Sequence, residues 1–207
     1  MGTVDRLDKV TTDIQSGRVT RSHLSHKRPA LFLDRDGVIN EDSGNYIKSP
    51  DEWIPIPGSL ESIGKLSQNN YQVIIITNQS GIGRKLFSIE MLHAIHKKMN
   101  IHLAQYGGVI DGIFFCPCIP EENCNCRKPK PGLYNDVSER FQIKLENVFC
   151  VGDKITDVQA AENAGGKPVL VRTGKGKDEI DQGIIPKHIP IYDDLASFVN
   201  EIIAEKK

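Results

Sequence analysis

ALFLDRDGVIN, residues 30–40, is the stretch whose reading decides the fold. Four apolar residues, Ala30 to Leu33, end abruptly in Asp34, Arg35, Asp36 and Gly37. A short apolar run bounded by polar residues reads as a buried parallel strand opening into a turn. Gly37 lets the chain leave that strand sharply. Moving outward, the same pattern recurs four times. Val73 to Ile76 ends in Thr77 and Asn78, and Val109 to Phe115 ends in a cluster of cysteines. Val148 to Val151 ends in Gly152 and Asp153, and Val169 to Val171 ends near Thr173. Helical patterns separate these runs, over Gly58 to Gln68, Ser88 to Tyr106, Pro131 to Phe141, Thr156 to Ala164 and Asp193 to Glu205. Ser88 suits an N-cap, and Leu92, Ile95, Met99 and Leu103 share one face of the helix that follows. Strands alternating with helices predict an α/β fold, a doubly wound, Rossmann-like parallel sheet. Such sheets bind ligands at the carboxyl ends of their strands. Asp34, Asp36, Thr77, Asn78 and Asp153 all lie just past predicted strand ends and so converge on one crevice.

The chain has 207 residues, 39% hydrophobic and 26% charged, as expected of one globular domain. Residues 29–207 are read as that domain and residues 1–28 as a mobile N-terminal tail, although Leu7, Val10 and Ile14 have helical spacing. His23 and His26 of the tail suggest no role. Twenty-six basic residues balance 27 acidic ones, which removes the global electrostatic argument for a nucleic acid or membrane-surface partner. The longest purely aliphatic run, Val73 to Ile76, is too short to span a bilayer, and no apolar stretch near the start reads as a secretory signal. The expected state is a cytoplasmic monomer.

Two residue groups carry chemistry. Asp34 and Asp36, joined by Asp153 from another strand, can hold a hard cation, and Mg²⁺ favours such oxygen ligands. The set suits phosphoryl transfer: one carboxylate attacks phosphorus, and the other protonates the leaving oxygen and then takes a proton from water. Mg²⁺ and a lysine screen the phosphoryl charge. Four of the five cysteines, Cys116, Cys118, Cys124 and Cys126, form a C-x-C-x₅-C-x-C loop. Disulfide scaffolds spread their cysteines, whereas a tight cluster reads as a metal site. Four thiolates close a tetrahedral Zn²⁺ shell with no open position, a structural role. The loop runs straight into Arg127 and Lys128, so zinc fixes the base of that segment.

LFLDRDGVIN, IIITNQSG, RKPKPG and VFCVGDKITDVQAAENAG, taken in order, resemble the four motifs of haloacid dehalogenase-like phosphatases. The match covers about residues 30 to 172. The resemblance implies Asp34 as nucleophile, Asp36 as general acid and base, and Thr77 and Lys128 as phosphoryl stabilisers. It implies Mg²⁺ held by Asp34, the backbone carbonyl of Asp36, and Asp153, with Asp157 supporting the ligands from behind. The second aspartate favours a phosphatase over a dehalogenase. The stretches 34–77 and 77–128 already hold a flap, residues 40–45, and a helix–strand unit, so no large cap domain fits. The cysteine loop resembles the zinc-containing branch of the superfamily, which acts on sugar bisphosphates or on histidinol phosphate; NQSG at 78–81 favours a small phosphorylated sugar. That branch implies substrate contacts from Asp42, Ser43, Gly44, Asn45, Thr77, Asn78, Gln79, Ser80, Arg127, Lys128 and Lys154. Arg127 would meet the phosphate that is not cleaved, or sugar oxygens, because a guanidinium fork suits either. The branch usually has His at the second zinc position, where this chain has Cys118; Zn²⁺ suits four thiolates, and iron is chemically admissible. A polynucleotide 3′-phosphatase shares the catalytic motifs, but the near-neutral charge disfavours it. A degenerate binding module would have lost one of Asp34, Asp36, Lys128 or Asp153, and all four are present.

Other residues carry structure. Cys150 and Trp53 read as packing. His93 and His96 read as a solvated or satisfied pair, and His102 and His188 suggest nothing. Lys97 and Lys98 read as a solvated helix face, and Gly174 to Lys177 as a mobile surface loop.

Overall fold

The computed structural model describes residues 28–205 together with residues 11 and 12. The rest of the expected tail, with Leu7, Val10 and Ile14, lies outside the described residues. The described segment starts at Arg28, whose guanidinium pairs with Asp111 at 2.5 Å.

Among the described residues six strands form one sheet: β1 (Ala30–Leu33), β2 (Gln72–Asn78), β3 (Gly112–Cys116), β4 (Phe149–Gly152), β5 (Lys167–Val171) and β6 (Ile191–Tyr192). Their order is β3-β2-β1-β4-β5-β6, and every pairing is parallel. This is the doubly wound order. The chain builds outward from β1 to β3, then returns to the other side of β1, so β1 and β4 flank the switch point where a crevice opens. Among residues 28–205, six α-helices lie between the strands, α1 (Ser59–Gln68), α2 (Ser80–Gly83), α3 (Ile89–Ala104), α4 (Gly132–Phe141), α5 (Ile155–Asn163) and α6 (Gly176–Asp181), and α7 (Leu195–Ala204) follows the last strand.

The period of two along β1 divides the core. Leu31 and Leu33 join Val73, Ile75, Val151 and Val169 on one face, against Leu60 and Ile63 of α1, Ile95 and Met99 of α3, and Phe198 of α7. Ala30 and Phe32 join Ile74, Ile76 and Cys150 on the other, against Tyr134 and Val137 of α4 and Ala160 and Ala161 of α5. Fully burying one such side chain contributes roughly 1.5–3 kcal/mol. Local chemistry sets the helix ends. Ser88 Oγ accepts from Met91 N at 3.3 Å, and Asp194 Oδ1 accepts from Ser197 N at 2.7 Å.

Three expectations need correction. The third strand starts at Gly112, not Val109, because Val109 lies on the turn leaving α3, 56% exposed, with its N–H on Ser67 Oγ. Pairing begins only where Gly112 comes opposite Ile74. Lys98 is no solvated cation, since its Nζ donates to the carbonyls of Pro50 at 2.6 Å and Trp53 at 3.0 Å. Gly174 to Lys177 is not a free surface loop: Gly176 is buried and opens α6, and Lys175 N donates to Asp153. Trp53 and Cys150 are buried packing residues, as expected.

Candidate active site

The site forms where β1, β2 and β4 end. Asp34 N donates to Val151 O at 2.8 Å, which fixes the β1 exit against β4. Asp153 follows β4, and Thr77 is the last residue but one of β2. The segment after the cysteine loop brings Lys128 beneath them. Lys128 Nζ is 3.1 Å from Asp34 Oδ1 and 2.5 Å from Asp157 Oδ1, and it donates to Ile76 O at 2.8 Å. Burial opposes its charge, but Asp157 and Asp34 outweigh that and push its pKa up. Asp157 in turn accepts from Lys154 N at 3.0 Å and Asp153 N at 3.3 Å, so one carboxylate orders the start of α5 and the chain before it.

Asp34, Asp153 and Asp157 are all buried and offer oxygens within 4.8 Å of one another. Burial pushes Asp34 upward against the pull of Lys128, and burial pushes Asp153 well up against Lys154. Asp34 Oδ1 and Asp153 Oδ1 are buried without a hydrogen-bond partner. Each of these oxygens lies beside an ammonium, Asp34 Oδ1 3.1 Å from Lys128 Nζ and Asp153 Oδ1 3.8 Å from Lys154 Nζ, but two lysines against three crowded buried carboxylates leave negative charge uncompensated. A small hard cation with oxygen ligands offsets that charge, so the donor set fits Mg²⁺.

Asp36 is held differently. Its carboxylate accepts from Arg35 Nε at 3.0 Å and Arg35 Nη2 at 2.9 Å, from Asn40 Nδ2 at 2.9 Å and from Gln79 Nε2 at 2.9 Å. Burial alone would raise its pKa; the Arg35 guanidinium and the two amides outweigh burial and lower it. Arg35 is fully buried, and its Nη1 lies 3.3 Å from His96 Nε2. Burial and the Arg35 charge hold His96 at about 3, so the ring is neutral.

The expected substrate residues fall into two groups. Asp42 and Lys154 meet each other at 3.2 Å on the crevice rim. Ser43, Gly44 and Asn45 form the turn beside Asp42, and Gly44 and Asn45 are exposed. Asn78 and Gln79 are instead committed inside the protein. Asn78 exchanges two 3.2 Å hydrogen bonds with the Lys128 backbone, and Gln79 Nε2 bridges Asp36 and Thr77 Oγ1, the latter at 3.1 Å. Ser80 is buried at the start of α2. Arg127 Nη1 donates to Cys118 O at 3.1 Å, which ties this side chain to the cysteine loop.

In that loop the sulfurs of Cys116 and Cys126 are 3.0 Å apart, Cys124 and Cys126 3.3 Å, Cys116 and Cys124 3.4 Å, and Cys118 and Cys126 3.8 Å. All four are free thiols. A tetrahedron with Zn–S bonds of about 2.3 Å has edges of about 3.8 Å, so the cluster is already close to metal-binding size. Hydrogen bonds from the other three sulfurs overcome burial and lower Cys124 to about 7, while burial and its neighbours push Cys116 up.

Sequence reasoning missed Arg35 and Asn40 as partners of Asp36, His96 as a partner of Arg35, and Lys175 as a partner of Asp153. The placing of Arg35 between two aspartates was the available signal; the other contacts join distant positions.

A model of the HAD-hydrolase-like family matches residues 125–198. The chain is 48% identical over 175 residues to the D-glycero-β-D-manno-heptose-1,7-bisphosphate 7-phosphatase of Bordetella bronchiseptica, covering 84% of this chain and 98% of that one. It is 47% identical over 177 residues to the enzyme of the same name from Neisseria meningitidis, covering 84% and 95%. The crystal structure of the D,D-heptose 1,7-bisphosphate phosphatase of B. bronchiseptica complexed with magnesium and phosphate superposes with a TM-score of 0.83, covering 85% of this chain and 98% of that one. The corresponding enzyme of Burkholderia thailandensis gives 0.69 at 40% identity, covering 86% and 99%. At this identity and coverage, the chain belongs to the haloacid dehalogenase-like hydrolases, in the family of D-glycero-β-D-manno-heptose-1,7-bisphosphate 7-phosphatases.

Proposed function

We propose that this chain hydrolyses the C7 phosphate of D-glycero-D-manno-heptose 1,7-bisphosphate, as the β-anomer, in the synthesis of nucleotide-activated heptose for lipopolysaccharide. The carrying observation is the cluster of three buried carboxylates, Asp34, Asp153 and Asp157, with oxygens within 4.8 Å of one another and Lys128 Nζ 3.1 Å from Asp34 Oδ1. Asp34, the backbone carbonyl of Asp36, and Asp153 would hold Mg²⁺. When bound, the cation supplies neutralisation of the phosphoryl oxygens. Asp34 forms a bond to phosphorus while the bond from phosphorus to the C7 oxygen breaks. Asp36 gives its proton to that leaving oxygen. Water then attacks the aspartyl-phosphate, Asp36 takes the water proton, and phosphate leaves with Asp34 restored. Lys128 stays protonated throughout and faces the developing charge with Thr77.

Proton donation by Asp36 requires its Arg35 pairing to loosen as substrate enters, since that pairing favours the anion. Lys154, Asp42 and residues 43–45 line the side from which a sugar approaches. Arg127 serves the C1 phosphate or sugar oxygens. The cysteine loop would hold structural Zn²⁺, and a reducing compartment keeps its thiols available, which supports a cytoplasmic enzyme. Among the described residues no helix is long and apolar enough to cross a membrane. Residues 29–207 act as the catalytic domain.

The test is phosphate release with Mg²⁺ from both anomers of heptose 1,7-bisphosphate, histidinol phosphate and a 3′-phosphorylated oligonucleotide. The expected result is the highest kcat/KM for the β-anomer. A preference for histidinol phosphate would overturn the substrate, and full activity in Asp34→Asn would overturn the nucleophile.

A further inference from the structure

After β5 the chain turns back over the crevice through Arg172, Thr173, Gly174 and Lys175 before α6 begins. Thr173 Oγ1 donates to Gly37 O at 2.6 Å, joining this turn to the one that carries Asp34 and Asp36. Lys175 N donates to Asp153 Oδ2 at 2.8 Å. Between these bonds, two glycine backbones face each other across the Asp153 carboxylate. Gly174 has φ +59°, and a methyl group there would lie 2.1 Å from Asp153 Oδ2 and 2.6 Å from the Gly37 Cα. Gly37 has φ +85°, and a methyl group there would lie 2.2 Å from the same oxygen. Neither position admits a side chain while Asp153 stays where it is. The turn also packs closely at its far end, where a methyl group at Gly176 would lie 1.8 Å from Val171 O.

One Asp153 oxygen is therefore fixed, while Oδ1 stays buried near Asp34 with no hydrogen bond, its only neighbouring charge of opposite sign among the described residues being Lys154 Nζ at 3.8 Å. Mg²⁺ demands near-ideal octahedral geometry, so the direction of a ligating oxygen matters as much as its presence. Groups behind a metal ligand commonly supply that direction.

We propose that the Thr173–Gly174–Lys175 turn is a positioning clamp that pins Asp153 by Oδ2, aims Oδ1 at the cation and keeps it in register with the Asp34–Asp36 turn. Gly174 is a positioning residue; it touches neither substrate nor metal. The inference rests on the reading of the crevice as a Mg²⁺ site.

The test is a Mn²⁺ titration of the zinc-loaded full chain, read by the electron paramagnetic resonance of free Mn²⁺, for wild type, Gly174→Ala and Gly183→Ala. Gly183 has φ +71° with nothing within 4 Å of an added methyl group, so it matches the backbone strain without reaching Asp153. Gly174→Ala should weaken Mn²⁺ binding about 10- to 100-fold and raise the Mg²⁺ concentration for half-maximal turnover in parallel. Gly183→Ala should bind Mn²⁺ as wild type does. Wild-type affinity in Gly174→Ala, or equal weakening in Gly183→Ala, would overturn the clamp. Should Gly174→Ala fail to fold, Thr173→Val removes only the hydroxyl bond to Gly37 O; a loss of roughly threefold or more is expected, and unchanged affinity overturns the proposal. Absence of Mn²⁺ binding by the wild-type chain would instead overturn the metal reading, and the clamp with it.

Discussion

The carboxylate crevice and the cysteine loop are both groups of potential metal ligands, but the chain builds them by opposite routes. Asp34, Asp153 and Asp157 meet only because β1 and β4 are adjacent in the sheet, and the oxygens end up buried. The four thiols meet because they are close in sequence, at the end of the edge strand β3, and three of them stay partly exposed. The crevice depends on the whole fold, whereas the loop depends on its own spacing. They join where Arg127 holds the loop carbonyl of Cys118 and the next residue, Lys128, enters the crevice, and where Gln79, which holds Asp36, donates its N–H to Cys116 O at 2.7 Å. One centre can therefore be damaged alone, but the loop cannot be lost without some cost to the crevice.

The largest separation of the two should come from Asp34→Asn. The nucleophile is lost, so turnover should fall about 10⁴-fold or more. The cysteine loop should keep its zinc, measured as metal per chain. Removing one of three crowded buried carboxylates should leave the metal-free melting temperature unchanged or higher. Zinc loss in this variant would break the comparison. Next in size is Cys126→Ser, because Cys126 approaches each of the other three sulfurs within 3.8 Å. Zinc should be lost and kcat should fall roughly 10- to 100-fold through Lys128. The sheet should survive, since Cys126 only borders one core cluster and the other excludes the loop altogether; far-ultraviolet circular dichroism would check this.

The sequence showed both centres, for different reasons. Strand-end residues such as Asp34 and Thr77 were legible because an apolar run stopped abruptly, and the cysteines because they were close together. Contacts made through backbone were not legible. Lys175 supports Asp153 with its N–H, which every residue except proline possesses, so no side-chain pattern announces it. Lys98 looked like any helix-face lysine until Pro50 and Trp53 offered it carbonyls. His96 and Arg35 lie in different elements, and neither residue type alone signals that pairing. Strand β6 has two residues and α6 has six, below the length at which periodicity carries information.

A pH series on metal-free protein should sharpen the contrast by a few degrees in melting temperature. Asp34 and Asp153 have raised pKa values, so their folded forms hold a proton more tightly than the unfolded chain does. The stability this brings is complete below the ordinary aspartate value of 3.8 and is lost as pH rises through the raised values. Mild acidification from neutrality should therefore raise the melting temperature of the metal-free chain. Asp36 has the opposite sign: its stabilisation is present above 3.8 and disappears only below it, as pH falls through the lowered value. Mg²⁺ should abolish the gain on mild acidification by compensating the crevice carboxylates. A metal-free protein that melts lower at pH 5 than at pH 7 would contradict the crowding argument.

The smallest expected effect tests the junction between the centres. Asn78 uses its Oδ1 on Lys128 N and its Nδ2 on Lys128 O, both at 3.2 Å, so it holds the lysine from the β2 side while the cysteine loop holds it from the other. Asn78→Ala should lose about 1–3 kcal/mol of stability, because it leaves two backbone groups without those partners. It should lower kcat several-fold, on the order of a threefold to tenfold loss, by loosening Lys128 without removing its charge. KM for a small aryl phosphate should change little, since both Asn78 contacts are internal. If two supports share the positioning of Lys128, Cys126→Ser and Asn78→Ala should not add: the double variant should lose more activity than the product of the single losses, because each remaining support matters more alone. Simple multiplication of the two effects would show that the loop and the strand act on the crevice independently.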